Sequence, residues 1–326
     1  MFYIKKLQSQ ELGSGTGARG RYFYISKKLI SFFPPLSMHI INDTVLLSII
    51  NNEINPTHAS LSAFVYHNDQ FSRPPRIDGK KPRNEYRLYL NDEIDPTGAF
   101  FNVDDIIALK EVDKKSYTYV LYRFTKYSEY YSSLEEILSG TNHKLVDNLN
   151  FIDNIEFVED EITTSITQEA KDKISKTIEE NESSFDNDEI ANGAHLFNSE
   201  TFRKFILNSY DEKCAVTGKV IKWKLFNNLE AAHIKPKSHC GPFLPSNGIC
   251  MSKNIHWAFD KGFFTIQDDF TIKVHPELID TELNEFDGKK IFEPVGTFFK
   301  PNPKYLKYHR ENVFGLFKIS GQIRSL

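Results

Sequence analysis

The chain has 326 residues and is 40% apolar, which leaves room for two ordinary domains and excludes global disorder. No apolar run approaches the ~18 residues of a membrane span. The start MFYIKKLQSQELG lacks a signal-type apolar region, and three scattered cysteines argue against a disulfide framework, so a cytoplasmic protein without membrane contact is expected. The formal net charge of −4 is uneven. Between Asp153 and Glu189 lie 13 acidic residues and 3 lysines, a local net of −10 that leaves +6 on the remainder. The whole-chain charge thus hides two mildly basic modules joined by an acidic segment.

Residues 1–150 read as strands and turns. YFYIS, TVLLSII, ASLSAFVYH, EYRLYL and YTYVLYRF are short, β-branched and aromatic, and separated by Gly, Pro, Asn or Asp. Such spacing predicts a barrel or sandwich. A short helix is expected over Ser26 to Phe33, stopped by Pro34 and Pro35. A second is expected over Val103 to Leu109 with Asn102 as N-cap. Residues 151–197 are polar and acidic and read as a linker, partly helical where Ile162, Ile166, Ala170 and Ile174 recur every four. From 198 to 326 the order is an amphipathic helix capped by Ser199, two short strands around a loop, a helix from about Lys253, a strand pair, and a closing helix in PKYLKYHRENVF.

One constellation carries chemistry. His233 is followed after 13 residues by Asn247 and after 8 more by His256, and Asp260 lies four beyond His256 on the same helical face. A neutral imidazole can take a proton from water, and a divalent cation can stabilise charge on a phosphate. Singly, each residue has an ordinary reading: a surface or core His, a turn Asn before Gly248, a helix-end Asp. Together with CAVTG at Cys214 to Gly218, LEAAHIKP at Leu229 to Pro236, NGI at Asn247 to Ile249 and HWAFDKG at His256 to Gly262, they resemble the HNH nuclease family and its ββα-metal fold. The resemblance implies His233 as general base, Asn247 as holder of loop and base, and His256 as metal ligand. Asp260 would be a further ligand. Mg²⁺, or Mn²⁺ in its place, would be the cofactor. Two departures stand out. Ala232 replaces the acidic residue or His that often precedes the base, which makes Glu230 a candidate for the missing ligand. The three cysteines form no CxxC, so a four-thiolate zinc is excluded.

The first half has its own candidates. Asp78 to Leu90 offers Lys80, Lys81, Arg83, Asn84, Glu85, Tyr86 and Arg87. Gly13 to Tyr22 offers Thr16, Arg19, Arg21 and Tyr22 among glycines. Arg, Asn and Glu suit base edges and Lys suits phosphates, although composition alone also fits two solvated turns. YIKKL, YFYIS, FFPPL, KPRNEYR and PTGAF, in that order, resemble the N-terminal recognition domain of EcoRII-type restriction enzymes, a pseudobarrel related to plant B3 domains. That resemblance implies two DNA-gripping arms at these segments. The expected fold is α+β: a β-pseudobarrel DNA reader at 1–150, a linker at 151–197 and a ββα-metal nuclease at 198–326. The expected activity is site-specific cleavage of double-stranded DNA, with a homodimer as an allowed assembly. A nuclease restricted to modified DNA and a regulator with an inactive HNH domain are the competing readings.

Overall fold

The apolar runs of the first half become strands because alternate side chains enter two separate cores. The computed structural model describes residues 1–13, 21–72, 81–152, 162–181, 196–296 and 299–316. The chain divides into two units, Met1–Ser184 and Phe185–Leu326. In the first, β1 (Phe2–Lys6), β2 (Tyr22–Ile25), β3 (Thr44–Asn51), β4 (His58–His67), β5 (Glu85–Tyr89), β6 (Ile106–Asp113), β7 (Thr118–Phe124), β8 (His143–Val146) and β9 (Thr163–Ile166) form one curled sheet. Its order is β2-β5-β4-β3-β7-β6-β1-β8, with β9 added beside β4. Among the described residues β2 and β8 end the path without pairing to each other, so the sheet is a half-barrel and not a closed one. Pairing is antiparallel except for β3 with β7 and β4 with β9.

Tyr3, Phe64, Leu88, Ile107, Leu109, Tyr119 and Leu121 face one core. There the rings of Tyr3, Phe32, Phe33, Phe64 and Tyr119 meet at centroid distances of 5.1–6.1 Å. Phe2, Ile4, Ile106, Ala108, Val120 and Tyr122 face the other, which the helix Tyr131–Leu138 closes with Tyr131, Leu134 and Leu138. Each large apolar side chain so buried contributes about 1.5–3 kcal/mol.

Several expectations change. The helix at 26–33 is a single 3₁₀ stretch, Lys27–Phe32, ended before Pro34. Val103 to Leu109 is not helical. Asp104 takes a left-handed φ of 72°, the Asn102 N–H donates to Asp105 Oδ2 at 2.9 Å, and the turn feeds β6, a strand buried between β1 and β7. In 162–174 the four-residue spacing spans two elements. Ile166 ends β9, Thr167 caps the next helix, and Ala170 and Ile174 are buried from the helix Gln168–Glu180. That helix is fixed to the sheet unit by a Thr177–Thr44 hydroxyl contact of 2.9 Å and by Asn181, which bonds both the N–H and the carbonyl of Ile41 at 2.7 and 2.8 Å. Residues 163–181, expected within a linker, therefore belong to the first unit. Of the acidic segment, 153–161 and 182–189 lie outside the described residues.

The second unit starts with the helix Ser199–Ser209. Asn198, not Ser199, is its cap, because the Asn198 side chain accepts from the Thr201 N–H while Thr201 Oγ1 accepts from the Asn198 N–H. There follow β10 (Lys222–Trp223), β11 (Phe226–Asn227), β12 (Leu229–His233), β13 (Gly248–Ser252), the helix Lys253–Asp260, β14 (Phe264–Ile266), β15 (Ile272–Val274) and the helix Pro303–Asn312. The closing helix buries His309 flat against Phe259, with centroids 3.8 Å apart. Its Nε2 lies 3.2 Å from the Phe259 carbonyl, which can only accept, so Nδ1 accepts from Thr265 Oγ1 at 3.0 Å. No helix among the described residues is long and apolar enough to cross a membrane.

Candidate active site

β12 and β13 pair from Leu229↔Ser252 to His233↔Gly248, and β13 runs without a linker into the helix Lys253–Asp260. This ββα order puts His233 at the end of the first strand and His256 on the first turn of the helix. A cleft of about 340 Å³ is lined by His233, His256 and Asp260 together with Lys237, His239 and Lys261.

His233 is held by aromatic packing. Phe202 lies over its ring at 4.7 Å, and Phe243 meets it edge-on at 4.9 Å. Its Nε2 is buried with no hydrogen-bond partner. Burial, reinforced by the charges of Lys237 and His256 and opposed by Asp260, pushes its pKa down to about 4. The ring is therefore neutral at physiological pH, the form that can accept a proton.

His256 sits between two carboxylates. Glu230 Oε2 is 2.7 Å from Nδ1, and Asp260 Oδ2 is 3.4 Å from Nε2. Burial pulls the His256 pKa down, but hydrogen bonds and charge from Asp260 and Glu230 outweigh it and hold the value above the ordinary one. Glu230 and Ala232 share a strand face by the two-residue period, and Ala232 is fully buried. The carboxylate absent at 232 is thus present two residues earlier, where it bonds the imidazole.

Among the described residues no three His, Cys, Asp or Glu side chains form a ready-made metal cluster. The donor chemistry nevertheless fits a divalent ion. With Nδ1–H given to Glu230, a His256 that loses its Nε2 proton would turn a lone pair toward an Asp260 oxygen, and a cation bound by both would relieve their repulsion. A carboxylate on the far nitrogen is the usual orienting partner of a metal-binding His. Glu230 would orient His256, and His256 with Asp260 would hold the ion.

Asn247 does not face the cleft. Fully buried, it accepts from the Lys235 N–H at 2.8 Å and donates to the carbonyls of Pro242 and Lys235 at 2.9 and 3.2 Å. It clamps the loop 234–247 that follows His233. Gly241 is required there, since a Cβ would lie 1.8 Å from the Lys235 oxygen. Cys214 and Cys250 are buried packing residues near Ser252, whose hydroxyl lies 3.8 Å from Cys214 Sγ.

The first-unit candidates are more dispersed. Thr16, Arg19 and Lys80 lie outside the described residues. Arg21 is occupied within the fold, bonded to Asp95 and to the carbonyls of Leu12 and Phe101. Arg83 makes a bidentate pair with Asp69 at 2.7 and 3.2 Å. Arg87 pairs with Glu85 and lies 4.0 Å over the Tyr22 ring, which brings Tyr22, Glu85 and Arg87 together. Asn84 bonds the Tyr66 hydroxyl and the Gln70 amide, and Tyr86 stacks on Tyr66 at 4.2 Å. Lys81 is exposed at the entry to β5. Phe202, Phe243, Lys237 and Lys261 were not foreseen at the nuclease site. Phe202 comes from a separate helix, Lys237 from a 3₁₀ turn and Lys261 from the C-cap of the His256 helix, and none of these positions has a spacing signal.

Residues 214–267 match the family model described as HNH endonuclease, a span that contains His233, Asn247, His256 and Asp260. The second unit thus carries an HNH endonuclease domain. No curated protein matches the chain. Among solved structures it is similar to a modification-dependent TagI restriction endonuclease, with 26% identity over 37% of this chain and 39% of that one and a TM-score of 0.28. It is also similar to the N-terminal domain of Helicobacter pylori LlaJI.R1, with 15% identity over 45% of this chain and 98% of that one and a TM-score of 0.31. This chain spans well under half of the first of these proteins.

Proposed function

We propose that this chain is a restriction-type endonuclease that hydrolyses double-stranded DNA at a site chosen by its first unit. The observation that carries the reading is a neutral imidazole, His233, on a cleft shared with the His256–Asp260 donor pair. The His233 imidazole accepts a proton from the attacking water as the water oxygen bonds to phosphorus and the bond to the leaving sugar oxygen breaks. The negative phosphodiester entering the cleft raises the proton affinity of His233. Lys237 and Lys261 line the same cleft and offer positive charge to phosphate oxygens. His256 and Asp260 would hold a divalent ion, which would stabilise charge developing on the phosphate and the leaving oxygen. Asn247 acts through the loop as a positioning residue.

Recognition falls to Lys81, Arg83, Asn84, Glu85, Tyr86 and Arg87 around the start of β5, with Thr16, Arg19, Arg21, Tyr22 and Lys80 on the flanking segments. Arg83, held by Asp69, and Asn84, held between Tyr66 and Gln70, are oriented before any ligand arrives, which lowers the cost of reading a base edge.

The test is cleavage of unmethylated and methylated plasmid by the purified chain with Mg²⁺ or Mn²⁺, beside His233→Ala. A fixed fragment pattern on unmodified DNA, absent in the variant, is the expected result. Cutting of methylated plasmid alone would assign a modification-dependent enzyme. Absence of cutting under every condition would overturn the nuclease reading.

A further inference from the structure

We propose that the hairpin β10–β11 is a wedge that stacks Trp223 and Phe226 against bases of the duplex beside the phosphate being cut. The inference rests on the endonuclease reading of the adjoining cleft and adds a base-contacting element outside it. Its apolar side chains face water: Ile221 is 76% exposed, Trp223 66% and Phe226 54%. Trp223 and Phe226 are directly opposed across the hairpin, and their rings stack at 6.2 Å and 13°. Such a platform on a two-residue strand pair adds no core burial, and contiguous exposed apolar surface marks a contact site.

Charge selects the partner. Between Lys213 and Asn228 the chain carries Lys213, Lys219, Lys222 and Lys224 and no carboxylate, and all four lysines are exposed. Lys222 is paired with Glu212, while Lys224 sits at the hairpin tip with its Nζ 4.7 Å over the Trp223 ring. Aromatic faces set among lysines match stacked bases flanked by phosphates, since one surface then meets both chemistries.

The base of the hairpin is anchored to the nuclease helix. Asn228 closes it through the Ile221 N–H to its Oδ1 at 2.9 Å and its own N–H to the Ile221 carbonyl at 3.1 Å. The Asn228 carbonyl accepts from Lys253, the first residue of the helix that bears His256. Phe226 precedes Glu230 by four residues, so their Cα atoms are within about 14 Å. At 3.4 Å per step this separation from Glu230, the partner of His256, corresponds to about four base steps.

The chain has two tryptophans, so Trp257→Phe leaves Trp223 as the sole indole reporter. That protein is titrated, in EDTA, with duplex containing its cleavage site, with 2-aminopurine placed within four steps of the cut. Quenching of the indole and brightening of 2-aminopurine are expected. Trp223→Ala should abolish the brightening and weaken binding roughly 5- to 150-fold, the range for losing one stacked base. Unchanged indole emission at DNA saturation, with wild-type affinity in Trp223→Ala, would overturn the wedge. A change of Trp223→Ala from dimer to monomer in sedimentation, with affinity per protomer preserved, would overturn it in favour of a contact between copies. Cleavage by wild-type protein in Mg²⁺, run alongside, reports on the nuclease reading separately, because the fluorescence readouts need no catalysis.

Discussion

Asn247→Ala should act on the loop beside His233 and reach catalysis only through it. The substitution removes three hydrogen bonds, a buried one to the Pro242 carbonyl and two partly buried ones with the Lys235 N–H and carbonyl. At about 1 kcal/mol each, with a further 1–3 kcal/mol for a partly buried Lys235 N–H left without its acceptor, the loss is about 4–6 kcal/mol. The main-chain bond from the Ile234 N–H to the Asn247 carbonyl survives, so β12 and β13 stay paired while the loop 234–247 loosens. A displacement of about 1 Å at His233 then suffices for a rate loss of order 10²-fold. Asn247→Asp is the informative companion. It keeps an acceptor for the Lys235 N–H but sets a carboxylate oxygen against two carbonyls, and should be no better tolerated than Ala. Urea unfolding, exchange of the Lys235 amide and cleavage at saturating DNA are measured together. A rate loss with stability and amide protection unchanged would refute the positioning argument and make Asn247 a group that touches the substrate.

His233→Ala should lower cleavage by at least about 10²-fold and leave DNA affinity within about threefold; near-normal cutting would remove it as the base. His256→Ala should weaken Mn²⁺ binding in calorimetric titration more than Glu230→Gln does, because Glu230 orients the ring; equal losses would make Glu230 a ligand. His309 gives a pH prediction. Burial holds its folded pKa at about 4, below the ~6.5 of the unfolded chain, so its contribution is complete above 6.5 and is lost as pH falls toward 4. Linkage gives a loss of about 2 kcal/mol by pH 5. Urea unfolding at pH 7.5 and 5.0 should show a smaller drop in His309→Gln than in wild type, and identical drops would refute the assignment.

The nuclease site was legible because its chemistry is local to one strand–loop–strand–helix segment. Spacing placed His256 and Asp260 on one helical face, the HNH resemblance added His233, and one cleft is lined by all three. Glu230 was legible only as a carboxylate on the right strand, since its contact with His256 spans 26 residues. β6 was misread because Asn102, Asp104 and Asp105 imitate a helix start, whereas the pairing with β1 and β7 that decides the matter is non-local. For the same reason the ion pairs of Arg21 and Arg83 were not legible in the sequence. Their partners Asp95 and Asp69 lie 74 and 14 residues away, and an ion pair leaves no periodic trace. The hairpin β10–β11 passed unnoticed because two-residue strands give no alternation to detect.

The outer edge of β4 is shared. β5 pairs with Phe64–His67 and β9 with His58–Leu61, so one strand from the front of the chain and one from beyond residue 160 complete the same edge. Anyone exchanging recognition modules between enzymes of this kind would be tempted to cut near residue 150, where the apolar runs stop. Such a graft would strip β9 and leave the backbone of His58–Leu61 bare, an invitation to pair with another chain. It would also remove the helix whose Thr177 and Asn181 secure Thr44 and Ile41. The transferable unit ends after Asn181, and the splice belongs in the acidic stretch that follows.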